Sequence, residues 1–182
     1  MASELHDRLE LALLASNEGV WDWYVGERDI YYSERVLDFL GYPSDKAPNI
    51  ILQARKYFHS NDLPGLREAF RKIVKKNGDD TLANDCRYLH PNGSWRWLRI
   101  RGVVVRDDEG MAHRIVGSII DISQRKNAEM ALQEERHRLR ELIENIPINV
   151  YYKDKESRFV LANSSTAEKL GAATEKDILG KT

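Results

Sequence analysis

The chain has 182 residues, a formal net charge of -1, 42% hydrophobic residues and 31% charged residues. This balance indicates a soluble globular protein, and the interleaved basic and acidic residues exclude the strongly basic surface that nucleic-acid binding requires. The apolar runs are too short to cross a bilayer, and the single cysteine, Cys86, excludes an internal disulfide and favours a reducing compartment. We therefore expect a cytoplasmic protein, or the cytoplasmic part of a larger sensor, without nucleic-acid or membrane contacts in this segment.

The first predicted elements are a helix and a short aromatic hairpin. Apolar residues within 1–17 recur at helical spacing, which indicates an N-terminal amphipathic helix. The sequences VWDWYV and IYYS, separated by a polar turn, are typical of two short strands. Ser33 is a favoured N-cap residue for the next predicted helix, ERVLDFLG, which ends at Gly41.

A longer helix and three long strands are predicted next. Asn61 or Asp62 caps the helix, and Leu66, Phe70 and Ile73 belong to its apolar stripe. The apolar period then changes to two, which predicts antiparallel strands over residues 81–90, 94–106 and 112–122. These elements together predict an α+β fold in which helices group against one sheet.

Residues 123–146 follow the last strand directly and are almost entirely charged and helix-forming. Leu132, Leu139 and Ile146 repeat every seven residues, which is typical of a short coiled coil. A helix of this length would extend roughly 36 Å, and such a polar helix is poorly stable alone. We therefore predict a homodimer that forms through this linker helix and the N-terminal helix.

The sequence after Pro147 repeats the layout of the beginning of the chain. RFVLANSSTAEKLG matches DIYYSERVLDFLG at a shift of 130 residues, which aligns Ser33 with Asn163 and Gly41 with Gly171. Residues 147–182 are therefore predicted to be the truncated start of a second copy of the same fold.

Five segments in a fixed order carry a resemblance to a known family. They are GVWDW at 19–23, IYYSERVLDFLGY at 30–42, HSND at 59–62, CRYLHPNGSWRWLRIRG at 86–102 and VGSIIDISQRKNAE at 116–129. Together they resemble a PAS sensor domain with its PAC-type C-terminal half. The usual terminal signature of the family, Asp-Ile-Thr, is DIS at 121–123 here, and its frequent His-Pro-Asp-Asp is HSND.

The resemblance implies a PAS fold, a five-stranded antiparallel sheet with helices on one face, over residues 18–122. It implies a sensory and regulatory input module without catalysis of its own. Such domains lie upstream of effectors in signal transduction, commonly histidine kinases of two-component systems or cyclic-di-GMP enzymes such as diguanylate cyclases, and pass a change in the sheet to an output helix. The resemblance therefore implies signal coupling by Asp121, Ile122, Ser123, Trp97 and Arg99.

Asp121 has two possible roles at the junction of strand and helix. It either pins the junction by pairing with Trp97 or with an arginine such as Arg99, or it only caps the following helix, and both roles are compatible. Without a flexible Gly linker, a shift of the last strand is expected to rotate or tilt the helix.

The fold that the resemblance implies encloses a space between the sheet and the short helices. Side chains alone or an unidentified small-molecule ligand fill this space, and the two alternatives are left open. A filled core would make the domain a ligand-free dimerisation module. The predicted lining residues are Trp21, Tyr32, Leu37, Phe58, Phe70, Leu82, Asn84, Cys86, Leu98, Ile100 and Ser118.

No cofactor or metal ion is expected. NDCRYL at 84–89 is similar to the Asn-Cys-Arg-Phe-Leu motif of flavin-binding light-oxygen-voltage domains, but Cys86 falls in a predicted strand after the long helix. No pair of histidines has zinc-site spacing, and none lies on the buried helical stripe, which disfavours haem and metal sites. A haem or flavin sensor is the less favoured alternative. The sequence contains no phosphate loop, Ser-His-Asp set or kinase signature, so no catalytic residue is predicted.

Overall fold

The structure of the chain is a computed structural model, which describes Arg8, Leu11, Ala12 and residues 15–43 and 47–182. The predicted N-terminal helix over residues 1–17 therefore lies mostly outside the described residues. Among the helices of the described part, none is both long and apolar enough to cross a membrane.

In the part of the chain that the structure describes, the first of two compact units, Met1–Lys126, contains a five-stranded antiparallel sheet together with helices. The strands follow each other in the sheet in the order β2-β1-β5-β4-β3. The predicted α+β fold is confirmed. The elements are β1 (Gly19–Tyr24), β2 (Tyr31–Tyr32), α1 (Glu34–Leu40), α2 (Ala54–Tyr57), α3 (Leu63–Val74), β3 (Thr81–Leu89), β4 (Trp95–Arg106) and β5 (Ala112–Asp121).

Strand β4 shows why this sheet has one buried face. Leu98, Ile100 and Val104 are buried, whereas Val103 and Val105 are about half exposed. Since successive side chains of a strand point to opposite faces, the first set lies on the inner face, toward the helices, and the second on the outer face. The period of two predicted for residues 94–106 is confirmed for this strand.

Trp21 lies on the inner face, with its ring against Gly102. Gly102 of β4 pairs with Gly117 of β5, and a Cβ atom on Gly102 would lie only 3.1 Å from Cζ2 of Trp21. The indole Nε1 donates to the carbonyl of Arg101 at 3.0 Å. The missing side chain of Gly102 therefore admits a large buried ring whose polar atom is satisfied.

Helix α1 begins after Ser33 and ends at Gly41, as predicted. Gly41 has a φ of 74°, which is the left-handed conformation that favours glycine. The Ser33 hydroxyl does not cap the helix, because it accepts a hydrogen bond from the backbone N–H of Val20 at 2.9 Å. Ser33 therefore ties the start of α1 to strand β1.

Helix α4 (Ser123–Asn145) begins two residues after β5 ends and is one residue shorter than predicted. The second unit, Asn127–Thr182, contains most of this helix. Its remaining elements are β6 (Tyr151–Lys153), β7 (Phe159–Ala162), α5 (Ser164–Lys169) and a 3-10 turn (Glu175–Asp177). β6 and β7 pair as an antiparallel hairpin.

The second unit repeats two hydrogen bonds of the first. Ser33 N donates to Val20 O at 2.8 Å, and Asn163 N donates to Val150 O at 2.9 Å. In return, Val20 N donates to the Ser33 hydroxyl at 2.9 Å, and Val150 N donates to Oδ1 of Asn163 at 3.1 Å. The alignment of Ser33 with Asn163 thus corresponds to the same local geometry.

Candidate functional site

The inner face of the sheet and the helices α2 and α3 border a cavity of about 60 Å³. Its walls are apolar apart from one arginine. Typical ligand pockets measure roughly 300–1,000 Å³, so the cavity in this conformation accommodates only a very small molecule. The lining residues are Ile51, Ala54, Phe58, Leu66, Arg67, Phe70 and Ile100.

Phe58, Phe70 and Ile100 are the predicted pocket residues that line this cavity. Ile51 and Ala54 were missed because their stretch of the sequence is turn-rich and lacks a clear period. Most of the other predicted residues are buried in the surrounding core, namely Trp21, Tyr32, Leu37, Leu82, Cys86 and Leu98.

The two polar residues predicted for the pocket lie on different faces of the sheet. Asn84 pairs with Ile100 and therefore shares its inner face. Ser118 pairs with Arg101 on the outer face, whereas its neighbour Ile119 pairs with Ile100. The prediction that Ser118 lines the interior is therefore wrong, and Asn84 remains as the half-buried polar residue of this set on the inner face.

Two polar side chains fasten the segment that forms one wall of the cavity. Oδ1 of the buried Asn49 accepts hydrogen bonds from Ile51 N and Leu52 N, both at 3.1 Å. The hydroxyl of Tyr32 accepts from Ile50 N at 3.3 Å. Burial raises the pKa of Tyr32 well above its usual value, so the hydroxyl stays neutral. The wall next to Ile51 is therefore held by side-chain hydrogen bonds.

Cys86 lies on strand β3, as predicted, and is fully buried. Burial raises the pKa of its thiol. A neutral, inaccessible thiol is a poor nucleophile, which argues for a packing role. Within the described residues, no group of three or more His, Cys, Asp or Glu side chains is arranged to hold a metal ion.

The start of α4 is bonded to the sheet at what we call the helix joint, formed by Trp97, Asp121, Ile122 and Ser123. Ile122 N donates to Trp97 O at 2.8 Å, and the Ser123 hydroxyl accepts from Trp97 N at 2.8 Å. Ile122 O accepts the first helical hydrogen bond, from Lys126 N at 2.9 Å. Ile122 therefore belongs to the sheet and to the helix at once, which leaves no flexible residue between them.

Asp121 caps the helix and also lies beside a cation. Its Oδ1 accepts from Ser123 N at 2.8 Å, while its Oδ2 is 3.9 Å from Nη1 of Arg96. Both roles considered for Asp121, the cap and the ion pair, are therefore present in the geometry. Whether they couple a signal to the helix is a matter for the proposal below.

An arginine was one predicted partner of Asp121, but the arginine beside it is Arg96 and not Arg99. Asp121 stands opposite Leu98, whereas Arg99 stands opposite Ile120. The side chains of Asp121 and Arg99 consequently point to opposite faces of the sheet. Arg96 lies two residues before Leu98 and shares its face, which explains why Arg96 is the cation near Asp121.

Arg99 instead belongs to what we call the Asp85 cluster, which comprises Asp85, Arg99, Arg125 and Lys126. Nε and Nη2 of Arg99 donate to the two oxygens of Asp85 at 2.6 and 2.8 Å. Nη2 of Arg125 and Nζ of Lys126 lie 3.8 and 3.7 Å from Oδ2 of Asp85. The Arg99 guanidinium holds the pKa of Asp85 below its usual value. The cluster connects β3 with the first turn of α4 and was not predicted from the sequence.

A second set of contacts runs from Trp97 to the start of α3. Nζ of Lys126 and Cζ of Arg87 lie 5.4 and 5.1 Å from the centre of the Trp97 ring, within cation-π distance. Arg87 also donates to Asp62 from its backbone N, Nε and Nη2 at 2.8, 2.9 and 2.7 Å. Asp62 occupies the N-cap position of α3, as predicted, but its carboxylate binds Arg87 and does not cap the helix.

Comparison with known proteins defines the class of protein. The family model described as PAS fold matches residues 29–119, which is half of the 182-residue chain. The chain belongs to this family.

Individual relatives are signalling proteins. The chain is 23% identical over 163 residues to Sensor protein FixL of Bradyrhizobium diazoefficiens, which covers 90% of this chain and 32% of that protein. It is 24% identical over 179 residues to Probable diguanylate cyclase DgcE of Escherichia coli, which covers 97% of this chain and 16% of that protein. This chain thus spans about a third or less of these relatives.

A solved structure supports the same fold. The Sensory Box Histidine Kinase/Response Regulator structure from Burkholderia thailandensis matches with a TM-score of 0.63 and 28% sequence identity. The match covers 74% of this chain and 98% of that one. The fold of that structure therefore matches most of this chain.

The Asp62–Arg87 pair predicts a pH-dependent contribution to stability. Hydrogen bonds from Arg87 hold the pKa of Asp62 below its usual value, so the ionised pair stabilises the fold above about pH 4. This contribution is lost as the pH falls through the lowered pKa. Asp62→Asn should reduce the free energy of unfolding by about 1–3 kcal/mol at pH 7, and the difference from wild type should shrink below about pH 4.

Urea denaturation followed by circular dichroism from pH 7 to pH 3 measures this difference. Glu68→Gln is the matched control, because Glu68 pairs with Arg71 on the exposed side of the same helix and its loss should leave the denaturation midpoint unchanged at pH 7. An Asp62→Asn deficit that stays constant down to pH 3 would contradict the role assigned to the ionised pair.

Proposed function

We propose that this chain is the sensory and regulatory input part of a larger signalling protein and passes a change in its sheet to an effector through α4. The observation that carries the proposal is the helix joint, where Ile122 is hydrogen-bonded to the strand and to the helix at once. The names of the relatives support a histidine kinase or a diguanylate cyclase as the effector. The PAS domain itself is not catalytic. We place this part of the protein in the cytoplasm, where a lone cysteine stays reduced.

The contacts around the joint supply a route from the cavity to α4. Helix α3 contributes Leu66 and Phe70 to the cavity wall, and Asp62 at its start is bonded to Arg87. Arg87 lies over the Trp97 ring, and Trp97 is bonded to the first residue of α4. A displacement of α3 would thus reach α4 through side chains as well as through the sheet. Coupling of this kind typically amounts to about 1–3 kcal/mol.

The role of the joint predicts a variant that folds but no longer transmits. In the full-length protein, Asp121→Ala should remove the helix cap and the contact with Arg96. The stimulus should then change the effector activity by at most half the factor that it does in wild type. Thermal unfolding checks that the variant is folded. Asp108→Ala, in the exposed turn between β4 and β5, is the control and should respond normally. A folded Asp121→Ala protein with a full response would argue against this assignment.

The size of the cavity favours a second candidate function, a ligand-free regulatory and dimerisation module. A cavity of about 60 Å³ is smaller than the engineered cavity of about 150 Å³ that binds benzene. The signal would then act on the helices or the dimer and not through a bound molecule. The first candidate requires the interior to widen around a small-molecule ligand.

Filling the cavity distinguishes the two candidates. Ala54 lines the cavity from α2, and Ala54→Val adds two methyl groups there. If the core is ligand-free, Ala54→Val should melt at a temperature about 1–4 °C higher than wild type. The native mass of wild type should then equal the mass of the polypeptide alone. Native mass spectrometry that finds an added mass on wild type, absent from Ala54→Val, would establish the ligand-binding candidate instead.

We also propose that the chain forms a homodimer through α4. No residue of this helix is buried, and Leu132, Leu139 and Leu142 are about half exposed or more. Since exposed leucines at seven-residue spacing gain most by packing against a second helix, pairing of two copies would cover them. The N-terminal helix proposed as a second contact lies mostly outside the described residues.

The dimer proposal is tested by replacing the leucine row. Leu132→Glu with Leu139→Glu should place like charges in the seam and raise the dimer dissociation constant by at least about tenfold. Sedimentation velocity over a concentration series measures it. Gln133→Glu adds a charge next to the row and should leave the dissociation constant within about twofold. A double variant that dimerises like wild type would place the interface elsewhere.

We propose further that residues 147–182 form the first part of a second copy of the fold. The repeated hydrogen bonds described above support this, and so do the exposed apolar residues at equivalent positions. Tyr151 is 57% exposed where Trp21 is 1% exposed, and Leu170 is 53% exposed where Leu40 is fully buried. These positions would be covered by strands and helices equivalent to those that complete the first copy.

A further inference from the structure

Asn163 is a fully buried polar residue at the start of α5. Its Oδ1 accepts hydrogen bonds from Val150 N at 3.1 Å, Thr166 N at 3.0 Å and the Thr166 hydroxyl at 2.8 Å. This half of the side chain therefore caps α5 and holds the residue before β6. An N-cap residue ordinarily needs no more than this acceptor.

The other half of the Asn163 side chain reaches the end of α4. Nδ2 lies 3.2 Å from Ile143 O, 3.2 Å from Ile146 O and 2.7 Å from Ile148 O. Ile143 O belongs to the last turn of α4, where carbonyls lack the usual helical partners, and the carbonyls of Ile146 and Ile148 directly follow the helix end. A donor from another element therefore closes the end of α4, and it comes from a residue well separated from α4 along the chain.

The equivalent residue of the first copy lacks this second function. Ser33 accepts from Val20 N through its hydroxyl, as Asn163 does from Val150 N. A serine hydroxyl carries one hydrogen, whereas an asparagine amide offers two donors beside its acceptor. With an asparagine at this position, the side chain can therefore also bind the end of a neighbouring helix.

Neighbouring ionic contacts act on the same end of α4. Oε2 of Glu144 accepts from the N and the hydroxyl of Ser164, at 3.0 and 2.6 Å. These hydrogen bonds lower the pKa of Glu144. Arg140, one helical turn earlier, forms an ion pair with Glu175. The last turn of α4 is therefore attached to α5 and to the 3-10 turn on either side of Asn163.

We propose that Asn163 is a positioning residue that locks the end of α4 to the hairpin β6–β7, so that the helix end and the hairpin move as one body. The amide donors form the lock, and the acceptor oxygen serves only as the cap. The lock itself is independent of the proposed signalling function. A role of the lock in passing a movement of α4 to the second copy, however, rests on the proposed signalling function.

Two substitutions separate the lock from the cap. Asn163→Asp keeps the acceptor and is an equally good N-cap, but it replaces the donors with an oxygen that faces three carbonyls. Asn163→Ser restores the residue of the first copy and lacks the two amide donors, because its single hydroxyl hydrogen lies on a shorter side chain. In both variants, amide hydrogen exchange of residues 146–150 in the 182-residue chain should accelerate by at least about tenfold. Exchange in the hairpin turn at 154–158 should change by less than about twofold.

Asn145→Ala is the matched control. Asn145 lies at the same helix end, is exposed, and donates to Glu141 O within the helix at 2.8 Å. Exchange of residues 146–150 should therefore stay within about twofold of wild type. Wild-type exchange in Asn163→Asp would overturn the proposal, because capping alone would then explain Asn163. Equal acceleration in the hairpin turn would also overturn it, because Asn163 would then only maintain the fold of this unit.

The signalling use of the lock has a separate readout. In the full-length protein, Asn163→Asp should at least halve the response to stimulus. If Asp121→Ala abolishes the response and Asn163→Asp does not, the lock plays no part in transmission, although the exchange data still report on the lock. If neither variant alters the response, the proposed transmission through α4 fails.

Discussion

The backbone of Ile122 makes two hydrogen bonds that belong to different elements. Its N–H extends the pairing of β5 with β4 by one step, to Trp97 O, and its carbonyl accepts the first hydrogen bond of α4, from Lys126 N. A flexible glycine linker would contain several residues without such hydrogen bonds. It would therefore not pass a displacement of the strand on to the helix. Here the helix begins where the ladder ends, so the direction of its first turn is set by the last strand. The proposed transmission, and the importance of every side chain around the joint, depend on this continuity.

The contacts that side chains make around the helix joint differ in strength. The contacts of Arg125 and Lys126 with Asp85 are 3.7–3.8 Å long and involve partly exposed groups, and such pairs contribute about 0–1 kcal/mol each. The hydrogen bonds of Ser123 and Asp121 are 2.8 Å long and satisfy backbone N–H groups that would otherwise lack partners. The short bonds therefore hold the joint, whereas the contacts of the Asp85 cluster with the first helical turn are weaker. A signal that shifts β3 would act on these weaker contacts without breaking the joint.

The sequence was sufficient to predict the sheet, its buried face and the linker helix, because each has a clear apolar period. It was not sufficient to place Ser118 or the partner of Asp121, since both depend on the register of β5. Gly117 occupies an inner-face position of that strand, where a Cβ atom would lie only 1.9 Å from the carbonyl oxygen of Arg101. The apolar alternation that reveals a register is therefore interrupted between Ile115 and Ile119. The Asp85 cluster escaped prediction for a related reason, because its members come from three elements whose pairing is set by that register and by the helix joint.

The two ends of α4 are attached by different physical means. At its start, in the first unit, the attachment is backbone pairing and is therefore independent of most side-chain identities. At its end, in the second unit, the attachment is the amide of Asn163, whose donors reach three carbonyls. No residue of α4 is buried, and polar contacts of Lys126, Arg140 and Glu144 attach the helix to other elements near its two ends. Because this attachment is made by side chains, namely those of Asn163, Glu144 and Arg140, substitutions there can loosen the helix end while the backbone pairing at the start of α4 stays intact.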